Sequence, residues 1–236
     1  MVGVRHQRQE RLGEGDRLGD RLVHLPVGGQ DRCSHRRVAA ILDPMGSARE
    51  AAALIGKAWA LRREALAGAS RPEADPKVID QVRAHLVEAV AICRETGDAP
   101  GLVVALGKLG HVESDAGRHE AARACCEEAV ALAREGDAPA RLATALRHLG
   151  DEYRRAGRLR ESHACYAEAL SLYDGTDTGP PPLEYANTVR PMAILKEALG
   201  EADAARALWR QARDLYRASG IDAGVAECEE RLARLG

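Results

Sequence analysis

Residues 146–172, LRHLGDEYRRAGRLRESHACYAEALSL, decide the fold. Forty residues earlier, 106–132 reads LGKLGHVESDAGRHEAARACCEEAVAL, and eleven of the 27 paired positions are identical. Leu109 pairs with Leu149, Gly110 with Gly150, Gly117 with Gly157, and Ala129 with Ala169. Forty-three residues later, 193–216 keeps Gly200, Ala205 and Ala212 and puts Trp209 in the place of Tyr166. Self-similarity at such a period means stacked supersecondary units, each too small to bury its own apolar face.

Each unit reads as two short helices with a glycine between them. Leu142, Ala145, Leu146, Leu149 and Tyr153 recur at three- and four-residue steps, which is one face of a helix. Gly117, Gly157 and Gly200 read as left-handed turns, the conformation that ends a helix most cheaply at glycine. Beyond Gly157, the residues Ala164, Cys165, Ala169 and Leu172 form the apolar side of the second helix. Gly150 and Ala169 are small where two helices must approach, so a Leu at either should overpack by about 1–3 kcal/mol.

The spacing Leu-Gly-x-x-Tyr-x-x-x-Gly, then Ala or Ser, an aromatic and Ala, resembles the tetratricopeptide repeat family. Leu149, Gly150, Tyr153, Gly157, Ser162, Tyr166 and Ala169 carry the likeness best. Repeat one departs at Glu113 and Cys126, repeat three at Met192, Ala193 and Lys196. The period exceeds the family's usual length of about 34. It is similar to the forty-odd-residue form found in kinesin light chains and many bacterial regulators. The likeness covers about residues 100–218 and, more loosely, 45–236. It implies an all-α, right-handed superhelical solenoid of antiparallel helix hairpins. These fall at about 47–95, 100–134, 138–173 and 183–218, closed by a capping helix at 222–235 whose outer side is polar.

Composition narrows the function classes. The 236 residues suffice for a sizeable core and one or two domains, and a net charge of −2 gives no bias toward nucleic acid or anionic membranes. Aromatic residues are 3% of the chain and phenylalanine is absent, which suits a core of closely packed alanine and leucine helices. Lysine occurs only at 57, 77, 108 and 196 among 34 basic residues, an arginine excess that fits GC-rich codon usage and a bacterial source. No run reaches the length of about 18 apolar residues that a membrane span needs. The N-terminus lacks the apolar segment of a secretory signal. Cys125 and Cys165 occupy equivalent repeat positions, so the six cysteines read as packing in a reduced, cytoplasmic protein.

Residues 1–44 break the pattern. They hold six glycines and eight arginines without a sustained helical period, which reads as a disordered tail or as sequence upstream of a true start at Met45. Gly13, Gly15 and Gly19 have the wrong spacing for a dinucleotide loop and follow no strand. Ser47-Ala-Arg-Glu50 reads as a capping box opening a helix to about Ala67, with Trp59 as packing. Asp75-Pro76 opens the next helix. GDAP occurs at Gly97 and again at Gly136, where glycine should end one helix, aspartate cap the next and proline enter its first turn.

No chemistry stands out. His148, His163 and Cys165 lack the i,i+4 spacing of a helical metal pair. Adjacent Cys125 and Cys126 are poorly placed to bridge. Glu127, Glu128, Glu229 and Glu230 fall on solvated faces without a partner base. No catalytic residue, metal or cofactor is assigned, and an enzyme is not expected. The informative surface is the polar side of each first helix. Arg147, Asp151 and Arg154 lie at i, i+4 and i+7; Lys108, His111 and Asp115 match them in repeat one, and Asn187, Arg190 and Glu197 in repeat three.

In the tetratricopeptide family this face lines a concave groove that holds a partner's peptide. The resemblance therefore carries groove roles onto Lys108, His111, Arg147, His148, Asp151, Arg154, Asn187 and Arg190. The stripe is net basic, so the expected partner is an acidic protein or peptide segment. The competing reading is a solvated face of intrahelical ion pairs. Nucleic acid is disfavoured because aromatics are few and Asp115, Asp151 and Glu197 interrupt the basic stripe. The expectation is a non-enzymatic adaptor. The alternative is a regulatory or sensory module that changes shape on binding a small ligand or signalling peptide.

Overall fold

A computed structural model describes residues 43–68, 75–174 and 182–236. Within them the chain forms nine α-helices: α1 (Pro44–Gly68), α2 (Pro76–Thr96), α3 (Ala99–Asp115), α4 (His119–Glu135), α5 (Pro139–Arg155), α6 (Leu159–Asp174), α7 (Pro182–Ala198), α8 (Ala202–Ala218) and α9 (Asp222–Arg234). Consecutive helices pair as antiparallel hairpins, α1 with α2 through α7 with α8, and α9 closes the stack against α8. The backbones of α1, α3, α5 and α7 approach one another in turn, whereas those of α2, α4, α6 and α8 do not. The stack therefore curves with the first helices inside, as a superhelical solenoid of hairpins. Residues 1–42, where most of the expected tail falls, lie outside the described residues.

The repeat is visible bond for bond at its turns. Gly117 and Gly157 both adopt φ 72°. The N–H of Arg118 donates to Glu113 O at 2.8 Å, and forty residues on Arg158 donates to Tyr153 O at 2.8 Å. These bonds satisfy carbonyls that the helix end would otherwise leave open. Gly150 lets α5 approach α6 because a Cβ there would stand 2.6 Å from the Tyr166 ring. Ser162 Oγ donates to the Gly150 carbonyl at 2.9 Å, which accounts for a small hydroxylic residue at that repeat position. Leu86, Leu106 and Leu146 are the largest fully buried aliphatic side chains from α1 to α6, and Trp209, Val189 and Tyr216 anchor a second cluster around α7–α9.

Three local readings are corrected. The first helix begins at Pro44, so Asp43 and Pro44 belong to the fold and not to the tail. The Asp43 carboxylate accepts the Gly46 N–H at 2.8 Å, so the cap stands four residues before the capping box expected at Ser47. The two GDAP segments also differ. Gly97 is left-handed at φ 68°, and Asp98 accepts the Gly101 N–H at 2.9 Å. Gly136 is extended, at φ −95° and ψ 157°, and α5 starts after Ala138 with no side-chain cap. The surroundings distinguish them: the Cys93 thiol lies 4.0 Å from the Asp98 carboxylate, and the residue at the same offset from Asp137 is Leu132. The last helix ends at Arg234 rather than Leu235. No described helix is long and apolar enough to cross a membrane.

Candidate functional site

Three inner helices build one column of rings. His111 of α3 stacks on Trp59 of α1, with centroids 6.0 Å apart and planes at 13°. On its other side His111 stacks on His148 of α5, at 5.3 Å and 24°. Lys108, one turn before His111, holds its Nζ 3.7 Å from the centre of the Trp59 ring, a cation–π contact. Arg62, one turn after Trp59, lies 5.0 Å from the same ring and donates from Nε to Asp115 Oδ2 at 2.8 Å.

The column fixes the state of His148. Arg147 Nη2 stands 2.6 Å from His148 Nε2. A guanidinium can only donate, so Nε2 accepts, the imidazole is neutral and its proton sits on Nδ1. Burial, then Arg147, His111 and Lys108, hold the His148 pKa well below the ordinary range. Burial and then Arg62 lower His111 to about 4, against the opposing pull of Asp115. Burial and Arg62 also lower Lys108. His148 Nδ1 is buried and has no hydrogen-bond partner among the described residues.

The expected groove residues divide into two groups. Lys108, His111, Arg147 and His148 meet in the column. Asp151 adjoins it, accepting from Tyr166 Oη at 2.6 Å and lying 3.7 Å from Arg147 and 3.9 Å from Arg154. Asn187 and Arg190 belong to a second network toward the C-terminus. Asn187 accepts from Tyr216 at 3.0 Å, and Arg190 donates twice to Glu227 of α9, both at 2.7 Å. The basic stripe is thus largely neutralised within the fold. Lys108 and Arg141 have no carboxylate partner among the described residues.

Both of these cations line cavities between the inner helices. One cavity of about 150 Å³ lies between α3 and α5, walled by Val103, Val104, Gly107 and Ala145, with Lys108, Arg141 and His148 also facing it. A second, of about 360 Å³, lies between α1 and α3 and is bounded by Ala51, Ala52, Ile55 and Pro100, with the Asp98 carboxylate, which caps α3 by accepting the Gly101 N–H, also on its wall. Val104 and Arg141 border both, so the two form one trough across three hairpins. Among the described residues no three His, Cys, Asp or Glu side chains gather as metal ligands.

Trp59, Arg62, Val104 and Arg141 were not among the expected groove residues. The sequence places Trp59 as packing, and its stacking on His111 puts it in the column. Arg141 is legible in the sequence: it stands one turn before Thr144 and Ala145 and two before His148, on the stripe beside Arg147, Asp151 and Arg154.

Fold and trough define a helical-repeat scaffold with an open inner face. The profile of the tetratricopeptide repeat family matches residues 102–174, which are α3 through α6, and the fold is that of tetratricopeptide-repeat solenoids. A Podosopora anserina structure described as a kinesin light chain with nearly identical TPR-like repeats superposes with TM-score 0.54 at 15% identity, covering 80% of this chain and 95% of that one. A point variant of that protein gives TM-score 0.54 and 15% identity over 79% and 95%. BtubC (BKLC) from P. vanneervenii aligns at 18% identity over 79% of this chain and 89% of that one, with TM-score 0.48. At 15% identity the likeness to the Podosopora anserina protein is one of fold. No curated protein matches the sequence.

Proposed function

We propose that this chain is a non-enzymatic adaptor that holds an acidic protein segment in the trough across α1, α3 and α5. The observation that carries this reading is the pair of adjoining cavities with an apolar floor and two uncompensated cations, Lys108 and Arg141, beside it. An apolar floor supplies affinity through area removed from water, and unpaired cations select carboxylates. Arg147, Arg154 and Arg190 serve the fold first, because their charges are spent on Asp151 and Glu227. The buried free thiols Cys93, Cys126, Cys165 and Cys228 suit a reducing cytoplasmic setting.

The test is selection of displayed random peptides on the immobilised full chain, repeated with Lys108→Glu/Arg141→Glu. Acidic peptides are expected on the parent, and the double variant should lose them while keeping its circular dichroism. Peptides held equally by both proteins would refute the assignment. The ring column gives the alternative reading, a shape-changing regulatory module, a physical joint, since one stack crosses three hairpins. A bound peptide that changed the scattering profile of the chain would favour that reading.

A further inference from the structure

The trough is unequally charged along its length. Asp98 lines the cavity between α1 and α3, Lys108 lines the one between α3 and α5, and Arg141 borders both. A one-residue offset in the repeat sets this pattern. Gly97 and Gly136, which open the two GDAP segments, stand 39 positions apart, whereas α3 and α5 begin 40 apart, at Ala99 and Pro139. Asp98 is therefore the N-cap of α3, while Ala138 holds that place in α5. In the same register Gly101 of α3 corresponds to Arg141 of α5. Neighbouring inner helices thus present a carboxylate at one start and a guanidinium at the next.

The Asp98 carboxylate is held where it stands. One oxygen accepts the Gly101 N–H at 2.9 Å, and the other lies 4.0 Å from Cys93 Sγ. Among the described residues no ion pair joins it to Arg141, so both charges line the trough. A ligand carboxylate over the α3–α5 half meets Lys108 and Arg141, and none of the residues lining that cavity is acidic. Over the α1–α3 half it meets Arg141 and Asp98, whose effects oppose. Leaving water costs a carboxylate in either place, and only the first place offsets that cost with unopposed positive charge. Ala51, Ala52 and Ile55 favour uncharged apolar side chains over the other half.

We propose that the trough reads the polarity of the segment it holds, taking an Asp or Glu over the α3–α5 half and uncharged apolar residues over the α1–α3 half, with Asp98 as the residue that denies the second half to carboxylates. The proposal rests on the adaptor reading and adds the order of charge along the partner segment.

Peptides selected on the full chain supply the probe. Their acidic residues should fall at one end and their aliphatic residues at the other, in a single order. In a synthetic copy, one position at each end is varied between Asp and Asn. At the acidic end the parent should prefer Asp by about tenfold, and Arg141→Gln should erase most of that preference. At the apolar end the parent should bind the Asp peptide no better than the Asn peptide, and Asp98→Asn should shift the ratio toward Asp by about threefold or more. Asparagine caps a helix as well as aspartate does, so Asp98→Asn should keep its circular dichroism. Acidic residues scattered without order, or an Asp–Asn ratio at the apolar end that ignores Asp98→Asn, overturn the polarity and leave the adaptor reading standing. Acidic peptides that bind Lys108→Glu/Arg141→Glu as tightly as the parent, or no selected peptides, overturn both.

Discussion

His111 and His148 come from successive hairpins and stack with their centroids 5.3 Å apart, two neutral imidazoles enclosed by cations. His111 faces Arg62 of α1, Asp115 of its own helix, and Arg147 and Asp151 of α5. Its folded pKa of about 4 lies below the unfolded value of about 6.5. Between these values the unfolded chain binds more protons, so stability is intact above about pH 6.5 and falls as pH drops toward 4. His148 acts in the same direction. The melting temperature should therefore be lower at about pH 5 than at about pH 7.5, and His111→Gln should shrink that difference. Thermal melts by circular dichroism decide it; an unchanged pH slope in the variant would sink the assignment.

Gly150 and Gly56 make opposite predictions for one substitution. A Cβ on Gly150 would stand 2.6 Å from the Tyr166 ring, whereas one on Gly56 meets nothing within 4 Å. Gly150→Ala should destabilise by about 1–3 kcal/mol, lessened by its better helix propensity. Gly56→Ala, on an exposed face of α1, should stabilise by about 0.5–1 kcal/mol. Urea midpoints of the two variants should move in opposite directions, and parallel shifts would contradict the close approach.

Those glycines also show which parts of the chain could be read in advance. Gly150, Ser162 and Tyr166 form one joint within a hairpin, and its spacing recurs, so periodicity exposes it. Gly157 was legible because a positive φ selects glycine at each such turn. Trp59 was not, because its role depends on stacking against His111, 52 positions away, across an irregular connection. The pairing of the inner stripe's charges is hidden from the sequence for a related reason. Glu227 neutralises Arg190 from a helix outside the recurring motif, so counting along α7 could not include it. The two GDAP segments show the limit of local signals, since four identical residues end one helix left-handed and the other extended.

Glu113 occupies a repeat position where Tyr153 stands forty residues later, and it is 2% exposed. Arg83 Nε donates to one carboxylate oxygen at 2.7 Å and Arg118 Nε to the other. Both guanidiniums are partly solvated, so removal of the carboxylate should cost less than the 3–5 kcal/mol of a fully buried pair. About 2 kcal/mol is expected for Glu113→Ala. Glu128 is the surface counterpart, bonded to Arg94 at 2.7 Å between α2 and α4 with both side chains exposed. Glu128→Ala should cost under about 1 kcal/mol. Equilibrium unfolding of the two variants tests the contrast, which fails if the surface substitution costs as much as the buried one.

The cysteines should be slow nucleophiles in the folded chain. Burial, helped by Asp98, pushes Cys93 up to about 11; burial and Glu113 push Cys125 to about 12. Burial and neighbouring glutamates push Cys165 and Cys228 to about 11, and Cys126 is raised further by burial and Glu152. The thiolate is the reactive form, and a pKa of about 11 leaves roughly one thiol in a thousand ionised at about pH 8. Cys33 lies outside the described residues and is removed as Cys33→Ser. The remaining five thiols should react with a disulfide reagent far more slowly in native buffer than in denaturant, and all five should be released on unfolding. Rapid native reaction of two or more would show that the inner packing at these repeat positions is open.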